Sequence, residues 1–220
     1  MPLGRTADAV VQIAAVIAHI RSECGADKVH IVAHSWGTQA AGRYAGEHPD
    51  AVDRLVMFGP IAQRRMQGLP APEQLGGWRF LSVQEQLARF VEDVPADHPP
   101  LLIEPDLAEW GPAYLATDSD AASRTPPSVK IPNGPVADNL AALSGKLAYD
   151  PARVTAPTLV VRGAWDNLCR DADAAWLIDG LGAREKADVV IPAATHLMHL
   201  EHGREFLFAA TADWLCRRLA

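Results

Sequence analysis

The sequence predicts an α/β fold with a mostly parallel sheet, flanking helices and an inserted, largely helical cap. Helical and strand-like patterns alternate at both ends of the 220-residue chain, which is typical of a parallel sheet covered by helices. The first strand candidate, Lys28–Ala33, is short, β-branched and continuously apolar, as strands buried on both faces are. Hydrophobic residues make up 49% and charged residues 21%, a balance that excludes a disordered or fibrous protein.

The first part of the chain, residues 1–62, is predicted to form part of the core. Apolar residues at spacings of three and four predict a helix from Thr6 to Cys24, and Gly25 is a natural end for it. The elements that follow are a strand over Lys28–Ala33, a helix over Trp36–Glu47 and a strand over Arg54–Phe58.

The middle of the chain, residues 63–148, has a different amino-acid composition and is predicted to be an inserted cap or lid. It contains 11 of the 17 prolines, with helical stretches such as Val83–Val94 between Pro-rich turns. Trp78, Trp110 and Tyr114 are candidates to line a substrate pocket. Alternatively, these aromatic side chains form the small core of the cap itself.

The last part, residues 149–220, returns to the alternating pattern and is predicted to complete the core. Its elements are a strand over Thr158–Arg162, a helix over Asp171–Gly180, a strand over Asp188–Ile191 and a helix over Glu201–Leu219.

Charge and cysteine content exclude several classes of protein. The chain carries 20 Lys and Arg against 27 Asp and Glu, a net charge of −7, which disfavours nucleic acid or an anionic membrane as partner. No apolar run approaches the roughly 18 residues of a membrane span. Cys24, Cys169 and Cys216 are too few and too widely spaced for a disulfide framework or a zinc site, which favours the cytoplasm. The sequence indicates no particular oligomeric state.

The pentapeptide Ala33-His34-Ser35-Trp36-Gly37 lies where a buried strand turns directly into a helix. In that context the residues two positions before and two positions after the serine must be small. Ala33 and Gly37 meet this demand, so a strained turn can display the serine hydroxyl at a helix N-terminus. Ser35 is therefore a candidate nucleophile, although a serine before a helix is often only an N-cap. His34 is expected to pack in the turn and is also a candidate to contact substrate.

A serine nucleophile needs an adjacent base and a group that orients the base. Asp166 follows one predicted strand of the last part, and His196 follows the next. Because parallel strands present their carboxyl ends at the same edge, Ser35, Asp166 and His196 are expected to converge. Singly, Asp166 could be a turn residue and His196 a loop residue, but their order along the chain favours a catalytic set.

A metal site is the alternative interpretation of this region. Four potential ligands stand close together in the sequence: His196, His199, Glu201 and His202. Their spacing straddles a loop and a helix start, so we predict no metal and no cofactor, with His199 and His202 as surface or rim residues.

These motifs resemble the α/β-hydrolase fold family from about Thr6 to the C-terminus. The matching stretches are the turn around Ser35, the segment 156–163 leading into Asp166, and Thr195-His196 followed by Leu200-Glu201. The resemblance implies covalent acyl transfer, with Ser35 as nucleophile, His196 as base and then acid, and Asp166 as the group orienting His196. It also implies that the Trp36 backbone N–H donates to the oxyanion, and that a cap lies where the Pro-rich region is.

The front of the chain departs from the family pattern. Members normally have four strands, and a His-Gly loop carrying a second oxyanion donor, before the helix with which this sequence begins. Without those strands the strand Lys28–Ala33 is expected to have an open apolar edge. The expectation is that the chain is a fragment of a longer protein, or else that another chain covers this edge.

The function predicted from these observations is hydrolysis of a small ester or related acyl compound by a serine hydrolase. The same three residues could instead serve an acyltransferase or a lyase, because fold does not fix function. A third alternative is a non-catalytic fragment or interaction module that lacks the oxyanion loop.

Overall fold

The computed structural model describes residues 1–217, in which six strands form two sheets. The strands are β1 (Val29–His34), β2 (Val52–Phe58), β3 (Trp78–Ser82), β4 (Ser128–Pro132), β5 (Thr158–Gly163) and β6 (Lys186–Ile191). The α-helices are α1 (Thr6–Cys24), α2 (Gly37–Glu47), α3 (Val83–Val91), α4 (Trp110–Leu115), α5 (Gly134–Leu143), α6 (Asp171–Gly180) and α7 (Arg204–Cys216). The predicted α/β class is confirmed.

The central sheet is parallel and has the strand order β1-β2-β5-β6. Ala33 of β1 lies beside Met57 of β2, and Met57 lies beside Val160 of β5. Since the four strands run in one direction, their carboxyl ends meet at one edge of the sheet. Strands β2 and β5 are neighbours in space, so the chain between them leaves the central sheet and returns to it.

Helices cover both faces of the central sheet. Met57 and Val160 pack on one face with Tyr44 of α2, whereas Val161 packs on the other face with Trp214 of α7. This alternation follows from the two-residue period of a strand, and burial on both faces explains the continuous apolar runs. The sheet is therefore held in position by packing on both sides.

The intervening segment, which we define as residues 63–148, contains α3, α4 and α5 but also an antiparallel sheet of β3 and β4. These two strands were not predicted from the sequence. Each has only five residues and lies among Gly- and Pro-rich turns, so a two-residue period is hard to distinguish there. Helix α3 ends at Val91 instead of Val94, and Ser82 caps its start by accepting a hydrogen bond from Glu85 N.

Several further element boundaries differ from the sequence prediction by one to three residues, most clearly at α7 and β6. Helix α7 begins at Arg204 rather than Glu201, because Glu201 forms a β-bridge with Leu102 and its carboxylate is buried. The predicted helix end at Leu219 lies outside the described residues. Strand β6 begins at Lys186, two residues before the predicted start.

The three cysteine thiols are free. Cys169 is buried, whereas Cys24 and Cys216 are exposed. No helix in residues 1–217 is both long enough and apolar enough to cross a membrane.

Strand β1 forms an open edge of the central sheet, as the sequence analysis expected. Within residues 1–217 it pairs with β2 alone. An apolar groove of about 890 Å³ lies between β1 and α1, lined by Val16 and Ile20 among others. Val32 is 48% exposed on this strand. Unpaired N–H and C=O groups on an apolar edge strand favour pairing with another strand.

We therefore expect Val32→Lys to reduce self-association of the protein. A lysine on an edge strand opposes strand pairing because its charge would have to be desolvated. Light scattering as a function of protein concentration measures the effect. Val11→Lys is the matched control, since Val11 is 70% exposed on α1 and is not part of the groove lining. If both variants scatter like the wild type, the edge does not promote association.

Candidate active site

Ser35 lies in the turn between β1 and α2 and has a strained backbone. Its φ angle of 53° falls in the left-handed region that non-glycine residues rarely adopt. The turn is held by hydrogen bonds, from Ser35 N to the carbonyl oxygen of Phe58 (3.1 Å) and from Thr38 Oγ1 to the carbonyl oxygen of Ser35 (2.6 Å). The predicted strain at this serine is confirmed, and such strain is common at functional sites.

The structure brings Ser35, His196 and Asp166 together in one chain of hydrogen bonds. The distance from Ser35 Oγ to His196 Nε2 is 2.8 Å, and the distance from His196 Nδ1 to Asp166 Oδ2 is 3.0 Å. Asp166 follows β5 and His196 follows β6, so both come from carboxyl ends of the parallel sheet. The convergence predicted from the strand order is therefore present in the structure.

Asp166 is placed to remain an ionised acceptor. Burial alone would raise its pKa, but the hydrogen bond from His196 and the charge of His196 oppose this. The backbone N–H groups of Leu168 (2.8 Å) and Cys169 (3.0 Å) also donate to Asp166 Oδ1, and the pKa is lowered overall. With Oδ1 occupied by the backbone, Oδ2 accepts from His196 Nδ1–H. That bond leaves the Nε2 lone pair directed at the serine hydroxyl.

The loop that carries His196 is fixed by a buried carboxylate. Glu201 is 2% exposed, and its oxygens accept hydrogen bonds from the backbone N–H (3.2 Å) and the hydroxyl of Thr195. Burial raises the pKa of Glu201, against the lowering effect of these bonds. No group of three or more metal-ligating side chains occurs among residues 1–217. Glu201, a candidate metal ligand in the sequence, holds the histidine loop through its bonds to Thr195.

Two glycines allow close approach around these side chains. A Cβ on Gly163 would lie 2.2 Å from the carbonyl oxygen of Ala194, so its absence lets the histidine loop approach β5. Gly59 has a φ angle of +53°, and a Cβ there would lie 2.9 Å from His196 Nδ1. Neither glycine was predicted from the sequence to have a role at the site. Their position at the carboxyl end of a strand, as its last residue (Gly163) or directly after it (Gly59), was the signal that could have identified them.

His34 packs behind His196. Its Nε2–H donates to the carbonyl oxygen of His196 over 2.9 Å, and its ring stacks on Phe58 at 4.4 Å. The ring of His199 lies 4.5 Å from that of His34, deeper than the surface or rim position expected from the sequence. His202 is exposed. The expected packing of His34 in the turn is confirmed.

Burial keeps both neighbouring imidazoles neutral. Desolvation, and then the charges of His196 and His199, lower the pKa of His34 to about 3. Desolvation and the charge of His196 lower the pKa of His199 to about 4. In the unfolded chain a histidine takes up a proton near its ordinary value of 6.5. Low pH therefore favours the unfolded state. The stabilisation that comes from keeping these histidines neutral is complete above pH 6.5, and it is lost as the pH falls towards their pKa in the folded protein.

We expect this linkage to be measurable through His34. Between pH 7 and pH 5, the free energy of unfolding should fall by about 2 kcal/mol more in the wild type than in His34→Phe. Phenylalanine keeps an aromatic ring against Phe58 but has no proton to gain. Urea unfolding at the two pH values measures the difference. An equal pH dependence in both proteins would contradict the assignment of His34 as a buried neutral imidazole.

The aromatic residues predicted to line a pocket lie in the intervening segment. Trp110 stacks on Tyr114 with ring centroids 4.7 Å apart, and Phe90 packs edge-on against Trp110. Trp78 is 48% exposed, with the Lys130 ammonium 3.7 Å above its ring. Across residues 1–217, no hydrogen bond or ring contact joins Trp78, Trp110 or Tyr114 to Ser35. The ring contacts of Trp110 and Tyr114 favour the alternative interpretation, a small core within the segment. Trp78 is too exposed to belong to such a core.

Trp36 precedes the first residue of α2. The N–H groups at the start of a helix have no intrahelical acceptor, and the helix dipole makes this end electropositive. The backbone N–H next to Ser35 is therefore in the part of the structure best suited to a negative charge. The indole Nε1–H of Trp36 donates to Asp138 Oδ2 over 3.0 Å.

A parallel sheet with a strained serine turn, and with acid and histidine loops at neighbouring strand ends, is typical of the α/β hydrolases. The family model for the alpha/beta hydrolase fold matches residues 5–203. The chain belongs to this family.

Several solved structures share the fold at low sequence identity. A thermophilic esterase from Thermogutta terrifontis, solved with malate bound, is 18% identical with a TM-score of 0.58, covering 98% of this chain and 74% of that one. An E-2-(acetamidomethylene)succinate hydrolase is 20% identical with a TM-score of 0.59, covering 97% and 74%. The monoacylglycerol lipase of Paleococcus ferrophilus is 20% identical with a TM-score of 0.54, covering 96% and 76%. No curated protein matches the sequence.

Proposed function

We propose that the protein is a serine hydrolase that cleaves a small ester or related acyl compound through an acyl-enzyme. The observation that carries this proposal is the hydrogen-bond chain Ser35–His196–Asp166, with distances of 2.8 Å and 3.0 Å. Such a chain supplies the nucleophile, the base and the orienting group that acyl transfer needs. Membership of the α/β-hydrolase family supports a hydrolase.

In the first half of the proposed reaction, Ser35 Oγ attacks the carbonyl carbon of the ester while its proton moves to His196 Nε2. The carbonyl oxygen becomes an oxyanion that accepts from the Trp36 backbone N–H. The bond to the leaving alcohol then breaks, and that oxygen takes the proton from His196. Asp166 keeps its charge and stabilises the imidazolium.

The second half repeats these steps with water as the nucleophile. His196 removes a proton from water, and the resulting hydroxide attacks the acyl carbon. Collapse of the tetrahedral intermediate breaks the bond to Ser35 Oγ, which regains a proton from His196. The products are a carboxylic acid and a free enzyme, so no cofactor or metal is consumed.

The division of the chain follows the same proposal. Residues 1–62 and 149–220 would form the catalytic core, and the intervening segment would act as a cap over the carboxyl edge of the sheet. Contacts between Asp93 of the segment and Asn167, next to the acid, support a position close to the site. His34 would support His196 from behind. The free thiols are consistent with a cytoplasmic location.

A serine-directed fluorophosphonate probe tests the proposal. Wild type should be labelled and Ser35→Ala should not, because the probe forms its covalent bond with an activated serine. A chromogenic ester series of increasing acyl length, with and without a competing alcohol, then separates hydrolysis from acyl transfer. Labelling that persists undiminished in Ser35→Ala would remove Ser35 from its role.

A further inference from the structure

Asp138 of α5 has a buried carboxylate that joins three parts of the chain. It is 3% exposed. Oδ1 accepts from Arg5 Nε at 2.5 Å, while Oδ2 accepts from Thr6 N at 2.7 Å, Thr6 Oγ1 at 2.8 Å and Trp36 Nε1 at 3.0 Å. These donors offset the desolvation of the charge, and Arg5 neutralises it. One carboxylate of the intervening segment thus binds both the start of α1 and the residue after Ser35.

The next residue of α5, Asn139, makes a second contact with the start of α2, close to Trp36. Asn139 Oδ1 accepts from Gln39 Nε2 at 2.9 Å, and Gln39 is fully buried in the first turn of α2. Consecutive residues of α5 therefore hold the indole of Trp36 and the side chain of Gln39. The first turn of α2 is fixed from the intervening segment as well as from the sheet.

We propose that Asp138 is a positioning residue for the oxyanion donor. By holding the Trp36 indole, it keeps the backbone N–H of Trp36 aimed at the position where the oxyanion forms. This inference rests on the proposed function. An oxyanion donor acts only when it is already in place during the reaction, so a small rotation of this peptide lowers the rate. The intervening segment then contributes to the chemical step in addition to controlling access.

Trp36→Phe isolates this contact. It keeps the backbone N–H and an aromatic ring, while it removes the indole donor and some of the ring's volume. Asp138→Ala is less suitable, because it would leave four donors without their acceptor, two of them fully buried, and endanger folding. Since a complete oxyanion donor is worth about 100- to 1000-fold in kcat, we expect its misplacement to lower kcat about 10-fold. KM should stay within about twofold, and the pH at which kcat/KM rises should not move, because His196 is untouched.

Thr6→Val is the matched control. It removes a different neutral donor to the same Asp138 oxygen, at α1 instead of at the serine turn. Its kcat should remain within about twofold of wild type even if the melting temperature falls. An unchanged kcat in Trp36→Phe overturns the inference, as does an equal fall of kcat in both variants. If the wild type lacks Ser35-dependent ester hydrolysis, the proposed function itself fails, an outcome distinct from either result.

Discussion

Replacing Ser35 with alanine should lower kcat for ester hydrolysis by about 10⁴- to 10⁶-fold, with little change in stability. Alanine retains the Cβ, and the backbone bonds of the turn do not involve the hydroxyl. The variant therefore keeps the fold, and His196 is left without the group it activates at 2.8 Å. Because no acyl-enzyme can form, only attack by bulk water remains. The measurement is steady-state kinetics on a chromogenic ester, together with thermal unfolding.

Ser144→Ala is the matched control for this substitution. Ser144 is exposed at the end of α5, and its hydroxyl donates to the carbonyl oxygen of Leu140, a bond that water can replace. This variant should retain the wild-type kcat. A Ser35→Ala protein that is folded and retains more than about a tenth of the wild-type kcat would show that another nucleophile performs the reaction.

The central part of the fold was accessible from sequence because its signals are local. Helix α1 runs from Thr6 to Cys24 as predicted, since its apolar spacing is regular and Gly25 adopts a φ angle of 60° at its end. The strands of the central sheet are apolar on both sides, which predicts burial but not exact ends. Parallel strands present their carboxyl ends at one edge of the sheet. The sequence therefore predicted that Ser35, Asp166 and His196 lie close together, although it shows no contact between them.

The contacts that the sequence did not predict are non-local. Asp138 lies 102 positions from Trp36 along the chain, and no periodicity or spacing relates the two. From the sequence, Glu201 was predicted to be the first residue of a helix, and only the folded loop shows that its carboxylate binds Thr195. The sheet of β3 and β4 likewise depends on pairing between distant short segments, which local propensity does not encode.

Asp166, the acid of the proposed catalytic set, can be tested by a substitution whose effect follows from its hydrogen bonds. In Asp166→Asn, the side-chain oxygen should stay on the backbone N–H groups of Leu168 and Cys169, which already bind Oδ1. The amide NH₂ then faces His196 Nδ1, which must accept instead of donate. The imidazole proton is consequently held on Nε2, and this tautomer cannot remove the proton of Ser35.

We therefore expect Asp166→Asn to lower kcat at neutral pH by about 10⁴-fold although the hydrogen-bond geometry is preserved. Asp50→Asn, which makes the same replacement of one carboxylate oxygen by NH₂ at an exposed aspartate, should have wild-type kinetics. Fluorophosphonate labelling should slow in parallel with kcat, because both reactions require His196 to remove the serine proton. If Asp166→Asn is folded and nearly as active as wild type, His196 is oriented by another group. The role of Asp166 in the proposed mechanism would then be wrong, even with Ser35 as the nucleophile.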